Sequence, residues 1–297
     1  LNKKRNMLTQ SPVKQIAAIH DLSGCGRTSL SVVIPILSTM GIKVCPLPTA
    51  VLSSHSRFTG YHFTDLTEQM QPIIEHWEKI HVSFDAIYSG FLGSYKQIHI
   101  VQKLIDTFKK TNQLVVVDPV LGDNGKLYGP FDEKMVSEMK LLIQQANIVT
   151  PNLTEMFLLL GKPYHPEVSE DEMKKWLLEL SDLGPEIVVI TSVPDKTSSK
   201  KFSVIAYNSN DSRFWKVPID YIPADFPGTG DCFTSVLTGS LMQGDSLPIA
   251  LDRAVHFISY GVRATYGYNY DPNHGILLER VLNRLNFPIP ESSYEIF

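Results

Sequence analysis

Apolar residues recur along this chain in two rhythms that alternate from end to end. Short, nearly unbroken apolar runs at residues 13–19, 43–48, 84–89, 114–117, 146–149 and 187–190 read as strands. The β-branched run 114–117 in particular has the mark of a strand buried on both faces. Between and after them, apolar positions return at helical spacing over residues 29–40, 66–80, 95–110, 131–145, 153–160, 166–183, 248–266 and 276–285. A further helical pattern begins within residues 226–239. Residues 201–208 and 213–217 instead alternate like an antiparallel hairpin around Asn208-Ser209-Asn210-Asp211.

Repeated strand–helix alternation predicts an α/β protein, three layers thick, with one central, mostly parallel sheet. There is no linker, low-complexity tract or internal repeat, so residues 13–288 are expected to form a single domain, with 1–12 and 289–297 as loose tails. In parallel sheets ligands bind beyond the C-terminal ends of the strands. The polar residues that follow the strands, Asp118, Glu155, Thr191 and Ser192, are therefore expected to gather at one edge, where the helix near Asp231 would also point.

Composition narrows the classes of partner. The chain is 297 residues long, with 43% hydrophobic and 20% charged residues, ample for a sizeable core. A net charge of −4 gives no reason to expect nucleic acid or a membrane surface. No apolar run reaches the roughly 18 residues of a membrane span. The basic stretch Leu1-Asn2-Lys3-Lys4-Arg5-Asn6 lacks a following apolar segment, so it is not expected to be a secretory signal. Cys25, Cys45 and Cys232 are scattered without metal-ligand spacing and read as reduced thiols, which suits a cytoplasmic location.

The chemistry concentrates in Phe226-Pro227-Gly228-Thr229-Gly230-Asp231, a glycine-rich turn running into an apolar helix. Converging amides and a helix N-terminus favour an anion there, while an acid in the first turn repels one. The two agree if Asp231 takes a proton from a hydroxyl that attacks the anion, which predicts phosphoryl transfer with Asp231 as base. Asp118 and Glu155 are suited to Mg²⁺ beside such a phosphate, although Asn152 and Glu155 also have the spacing of a helix capping box. Residues 123–129, with Lys126, read either as a flap over a nucleotide or as a surface loop. His20-Asp21-Leu22-Ser23-Gly24-Cys25-Gly26 is expected to be a polar turn after the first strand, and it matches neither a P-loop nor a dinucleotide-binding fingerprint. His20, His55 and His62 lack zinc spacing and read as structural or substrate-contacting residues. Cys25 and Cys232 carry no nucleophile signature.

Taken together these segments resemble the pyridoxal kinases of the ribokinase-like superfamily. Gly228-Thr229-Gly230-Asp231 is similar to the superfamily's anion-hole and base motif, and Asp118-Pro119-Val120-Leu121-Gly122 to the pyridoxal-kinase Asp-Pro-Val-[ML]-Gly segment. Thr150-Pro151-Asn152-Leu153-Thr154-Glu155, Ser89-Gly90-Phe91-Leu92-Gly93-Ser94, and Pro46-Leu47-Pro48-Thr49 with Ser53-Ser54-His55-Ser56 resemble further family segments in the family's order. The resemblance implies a ribokinase-like α/β/α fold and ATP- and Mg²⁺-dependent phosphorylation of the 5′-hydroxymethyl group of pyridoxal, pyridoxine or pyridoxamine. It implies Asp231 as base, the amides of Gly228, Thr229 and Gly230 as the anion hole, and Asp118 and Glu155 at the metal. Asn152, Thr191 and Ser192 would lie near the nucleotide phosphates, with Thr49, His55, Phe91 and the first loop near the pyridine ring. A K⁺ ion and a homodimer are also common in the family.

Two departures fall in the vitamin pocket. The first loop is about two residues shorter than the family's Ser-His-Val-Val-x-Gly-x-x-Gly, which leaves Asp21 and Ser23 as candidates to contact the ring, and Phe91 stands where Tyr is common. The alternative reading on the same fold is a hydroxymethylpyrimidine kinase, whose members commonly carry Gly-Thr-Gly-Cys where this chain has Asp231. A ligand-binding regulator with a decayed site is the alternative from another class, opposed by the intact Asp231, Asp118 and Glu155.

Overall fold

A computed structural model describes residues 11–194, 201–220, 222–288 and 292–297. The basic stretch Leu1-Asn2-Lys3-Lys4-Arg5-Asn6 lies outside them. The strands are β1 (Gln15–Ser23), β2 (Lys43–Leu52), β3 (Phe63–Asp65), β4 (Ala86–Ser89), β5 (Leu114–Val117), β6 (Gly122–Asp123), β7 (Lys126–Leu127), β8 (Ile148–Val149), β9 (Ile187–Pro194), β10 (Lys201–Asn208), β11 (Arg213–Asp220) and β12 (Glu295–Ile296). The helices are α1 (Leu30–Thr39), α2 (Thr67–Lys79), α3 (Tyr95–Phe108), α4 (Glu133–Ile143), α5 (Leu153–Leu160), α6 (Glu170–Ser181), α7 (Thr229–Gln243) and α8 (Leu247–Tyr266).

Ten strands form one sheet in the order β12-β11-β10-β9-β8-β5-β4-β1-β2-β3. Its centre, β2-β1-β4-β5-β8-β9, is parallel throughout, and antiparallel strands extend both edges. The central strands are unbroken apolar runs because successive residues feed two separate cores. Ala17, Ile19, Ile87, Val115 and Val117 pack with α2–α6 on one face. Ile16, Ala18, Ala86, Tyr88 and Val116 pack with α1, α7 and α8 on the other. The result is the three-layer arrangement that the strand–helix alternation predicts. The sheet reverses direction of growth between β1 and β4, the place where such folds open a crevice at the strand C-termini.

Several elements depart from the sequence pattern, each for a local reason. β1 continues through His20, Asp21 and Ser23 instead of turning at residue 20, because β2 also runs on to Leu52 and pairs with it across a bulge. Pro46 and Pro48 sit inside β2, where β3 pairs only with Ala50–Leu52 and leaves the neighbouring edge open. α6 starts at Glu170 rather than at 166, fixed there by a reciprocal capping box between Ser169 and Glu172. The helix expected over residues 276–285 is instead two 3₁₀ turns, Leu278–Arg280 and Leu282–Asn286. The expected loose tail is tied down at its end, where Glu295 and Ile296 pair with Lys216 and Trp215 of β11.

Residues 123–129 begin in a tight hairpin, β6–β7, with Asn124 (φ 51°) and Gly125 (φ 77°) at its turn. Asn-Gly with two positive φ angles is the turn that matches the twist of two antiparallel strands. The Gly125 N–H donates to Thr154 Oγ1 (2.9 Å), which fastens the hairpin to the start of α5.

Phe84, fully buried, meets Trp77 and Phe108 edge-on at 5.4 and 5.0 Å between ring centroids. Phe84→Ala is expected to destabilise the protein by about 3–5 kcal/mol in urea unfolding, the range for a truncated core aromatic. A loss below about 1 kcal/mol would show that the cluster can collapse around the gap.

Candidate active site

The turn before α7 takes its shape from Gly228. This residue has φ 80°, and a Cβ on it would lie 2.0 Å from the Arg27 carbonyl oxygen. Only glycine allows both the left-handed backbone and that approach. The first bond of the helical ladder runs from the Cys232 N–H to Gly228 O (3.0 Å). The amides of residues 229–231 therefore precede the ladder, at the positive end of the helix. Thr229 Oγ1 donates back to Phe226 O (3.1 Å) and steadies the turn.

Asp231 lies in this first turn with 15% of its side chain exposed. Its Oδ2 accepts the Ser29 N–H (2.9 Å), and its Oδ1 faces His20 Nδ1 at 3.9 Å. Ser29 reaches it through a backbone at φ 52°, a conformation costly for any residue with a Cβ. Burial pushes the Asp231 carboxyl up to about 7, with Asp21 adding to the rise and the Ser29 hydrogen bond opposing it. That places its proton affinity where a general base works best near neutral pH.

Asp118 follows β5 directly, its N–H bonded to Ser89 O (2.9 Å) of β4. Burial raises its pKa well above the usual carboxylate range, and the nearby charges of Glu155 and Asp231 raise it further. Glu155 is buried at the start of α5, with Oε1 accepting the Leu121 N–H (2.9 Å) and Oε2 the Asn152 N–H (2.8 Å). Asn152 Oδ1 in turn accepts the Glu155 N–H (3.0 Å), so the capping box is fully formed. Burial lifts Glu155 to about 7 against those hydrogen bonds. Among the described residues no group of three or more His, Cys, Asp or Glu side chains forms a ready metal cage. Asp118 and Glu155 are a like-charged, desolvated pair, and a cation would relieve both.

Asn152 also pairs with Thr191 through a parallel bridge, and its Nδ2 donates to Gly122 O (2.9 Å). Ser192 has φ 57° within β9, which runs past the expected end at residue 190, at the irregularity where its pairing with β10 shifts register. A cleft of about 250 Å³ opens beside it, lined by Ser192, Phe202, Ile219, Ala224, Thr229 and Val262. It is mostly apolar and has Thr229, in the glycine turn, on its wall. Sequence reasoning missed these apolar residues. In the sequence they read as ordinary apolar strand and helix positions, and the pairing of Phe202 with Ile219 across β10 and β11 is what brings two of them together.

The remaining predicted residues line the end of β1 and β2. Asp21 is buried and accepts from Ser23 Oγ (3.1 Å), and burial raises its pKa. Thr49 Oγ1 donates to Phe91 O (3.0 Å), and the Phe91 ring stacks on Phe131 at 6.0 Å. Buried Gln97 holds these loops together: its Oε1 accepts the Gly93 N–H (2.7 Å), and its Nε2 donates to Thr49 O (2.9 Å) and Thr67 Oγ1 (2.9 Å). His55 has both ring nitrogens engaged within the protein. Nε2 donates to Asn273 O (2.6 Å) and Nδ1 accepts the Arg57 N–H (3.3 Å), so it staples the 53–58 loop to the turn at 271–275. Cys232 is fully buried, and burial followed by the Asp231 charge raises its thiol pKa well above normal, which leaves it inert. The three cysteines are free.

Residues 55–277 match the phosphomethylpyrimidine kinase family. The pyridoxal kinase of Arabidopsis thaliana is 29% identical over 259 residues, spanning 83% of this chain and 82% of its own length. The pyridoxal kinase PdxY of Burkholderia lata is 25% identical over 262 residues, 86% of this chain and 90% of its own. A Bacteroides thetaiotaomicron protein, provisionally described as a phosphomethylpyrimidine kinase and crystallised in one form with pyridoxal, superposes with a TM-score of 0.94 at 58% identity, covering 96% of this chain and all of that one. The pyridoxal kinase of Lactobacillus plantarum superposes with a TM-score of 0.84 at 30% identity over 93% of this chain and 97% of its own. The chain belongs to the phosphomethylpyrimidine kinase family, among the pyridoxal kinases of the ribokinase-like superfamily.

Proposed function

We propose that this enzyme transfers the γ-phosphoryl group of ATP to the 5′-hydroxymethyl group of pyridoxal, pyridoxine or pyridoxamine. The observation that carries the reading is the placement of Asp231. It lies beside the amides of the α7 N-terminus, between the mostly apolar cleft beside Thr229 and the ends of β1 and β2 around Asp21 and Thr49. The 58%-identical relative crystallised with pyridoxal supports the choice of acceptor.

In this reading the adenine base occupies the cleft lined by Phe202, Ile219 and Val262, with Asn152, Thr191 and Ser192 toward the phosphates. The amides of residues 229–231 stabilise charge growing on the transferring group. Asp231 accepts the hydroxyl proton as the alcohol oxygen attacks. Asp118 would hold Mg²⁺, and the crowding of its buried carboxylate by Glu155 and Asp231 fits that role. Glu155 would act through water, since each of its oxygens already accepts a backbone N–H. The ion, when bound, neutralises phosphate charge. Asp21 and Ser23 would meet the pyridine ring, with Phe91 supplying a stacking face. The same resemblance supports a homodimer acting in the cytoplasm. Hydroxymethylpyrimidine is the second acceptor to consider, because the matching family carries its name.

The decisive assay offers purified protein ATP and Mg²⁺ with each vitamer and with hydroxymethylpyrimidine, and measures phosphorylated product. Turnover of pyridoxal is expected; turnover of hydroxymethylpyrimidine alone overturns the reading. Asp231→Asn is expected to lower kcat by roughly 10²-fold or more while ATP affinity stays near wild type. Near-normal turnover would remove Asp231 from the role of base.

The same substitution has a stability signature. A carboxyl raised on folding from 3.8 to about 7 stabilises the fold fully below pH 4, and that contribution is lost as pH rises through about 7. Asp231→Asn escapes this loss. Its unfolding free energy at pH 8 should exceed that of wild type by on the order of 1–4 kcal/mol, and the two proteins should converge near pH 4. Equal midpoints at both pH values in thermal unfolding would contradict the assigned burial.

A further inference from the structure

His20 is fully buried, and neither of its ring nitrogens has a hydrogen-bond partner. A neutral imidazole carries one N–H and one lone pair, and leaving both unmade in a dry interior is costly. The ring is also fixed in place. Tyr88 meets it edge-on at 4.3 Å, and a Cβ on Gly90 would lie 2.2 Å from Nδ1 and 2.5 Å from Cε1. Glycine at position 90 therefore lets the imidazole lie directly on the backbone that follows β4. What Nδ1 faces is Asp231 Oδ1, at 3.9 Å. That separation is about 1 Å longer than a hydrogen bond. The other carboxylate oxygen is already held by the Ser29 N–H at 2.9 Å, so a tilt about that bond would close the gap.

We propose that His20 is a positioning residue for Asp231, its Nδ1–H bonding Oδ1 when the acceptor alcohol is in place, so that Ser29 and His20 together fix the plane of the carboxylate. The inference rests on the reading of Asp231 as the base. The alcohol proton passes to Asp231, while His20 keeps its own proton at Nδ1 and its lone pair at Nε2. Burial lowers the His20 pKa to about 3, so the ring orients the carboxylate as a neutral donor. A charged imidazolium there would form an ion pair and drain the basicity that the site builds into Asp231.

His20→Leu removes the donor, whereas His20→Asn places an amide N–H where Nδ1 was. His20→Leu is expected to lower kcat about 10- to 100-fold with both KM values within about threefold of wild type, the pattern of a lost transition-state interaction. His20→Asn is expected to return kcat to within about threefold of wild type. In an Asp231→Asn background, His20→Leu should cause no further loss, because the residue acts through a group already disabled. Equal losses in the Leu and Asn variants, or an additive loss in the Asp231→Asn background, would overturn the proposal. Full activity of Asp231→Asn by itself would instead overturn the reading of the base. A measurement that needs no variant is ¹⁵N NMR of the histidine-labelled enzyme with the acceptor and a non-hydrolysable ATP analogue bound. It should show His20 neutral and protonated at Nδ1, and protonation at Nε2 would overturn the assignment.

Discussion

Desolvated negative charge is the constraint on which the rest of this site depends. Asp118, Glu155 and Asp231 are drawn from three elements to the ends of parallel strands, and burial raises the pKa of each. The fold offsets this with backbone donors rather than cations. Glu155 takes two N–H groups, and Asp231 takes one from Ser29. Asp118 is held by the Val120 N–H and the Thr234 hydroxyl, yet burial and the nearby charges of Glu155 and Asp231 still raise its pKa well above the carboxylate range. Such a desolvated group of carboxylates favours positive charge beside it, and in the proposed reading a metal ion accompanying ATP would supply it.

The sheet topology makes this concentration possible. Six parallel strands bring their C-termini to one side, and the change in growth direction between β1 and β4 leaves an opening there. Two cores, one per face, hold the strands so firmly that polar residues just beyond them can sit in nearly dry surroundings without unravelling the ends. The helices contribute by where they start. α5 and α7 both begin at the site, one with a reciprocal carboxamide–carboxylate cap and the other with an uncapped glycine turn. That contrast separates a helix end closed by the protein from one left open to an anion.

Much of this was legible in the sequence because it follows from chain-local rules. Unbroken apolar runs marked the parallel strands, Asn152 and Glu155 carried capping spacing, and Gly228-Thr229-Gly230-Asp231 announced a glycine turn that opens a helix with an acid in its first turn. What escaped depends on contacts distant in the chain. Asp21 and Ser23 were expected in a turn, but they lie in β1 because β2 extends alongside it. The role of His20 depends on a glycine seventy positions away, and that of Gln97 on Thr49 and Thr67, which lie in other elements. Phe202, Ile219 and Val262 look like core in the sequence, and only the packing shows that they line a cleft. Residues 276–285 had helical apolar spacing, yet Leu278, Val281 and Leu285 are buried equally well by 3₁₀ turns, so burial pattern alone did not decide the conformation.

Backbone strain ties these observations together. Ser29, Val120 and Ser192 all have positive φ, at 52°, 31° and 57°, and each adjoins a different part of the site. For Val120, β-branched, such a value is far from the ordinary allowed regions. Each strained residue has a directional consequence. Ser29 aims its N–H at Asp231, Val120 turns the chain so that its own N–H reaches Asp118, and Ser192 lies at the wall of the cleft where the pairing of β9 with β10 shifts register. Strain of this kind persists only where the surrounding packing over-determines it. The two cores beneath the strand ends provide that support. A donor fixed by strained backbone does not need to reorganise as charge develops, and this is the property an electrostatic site for phosphoryl transfer requires.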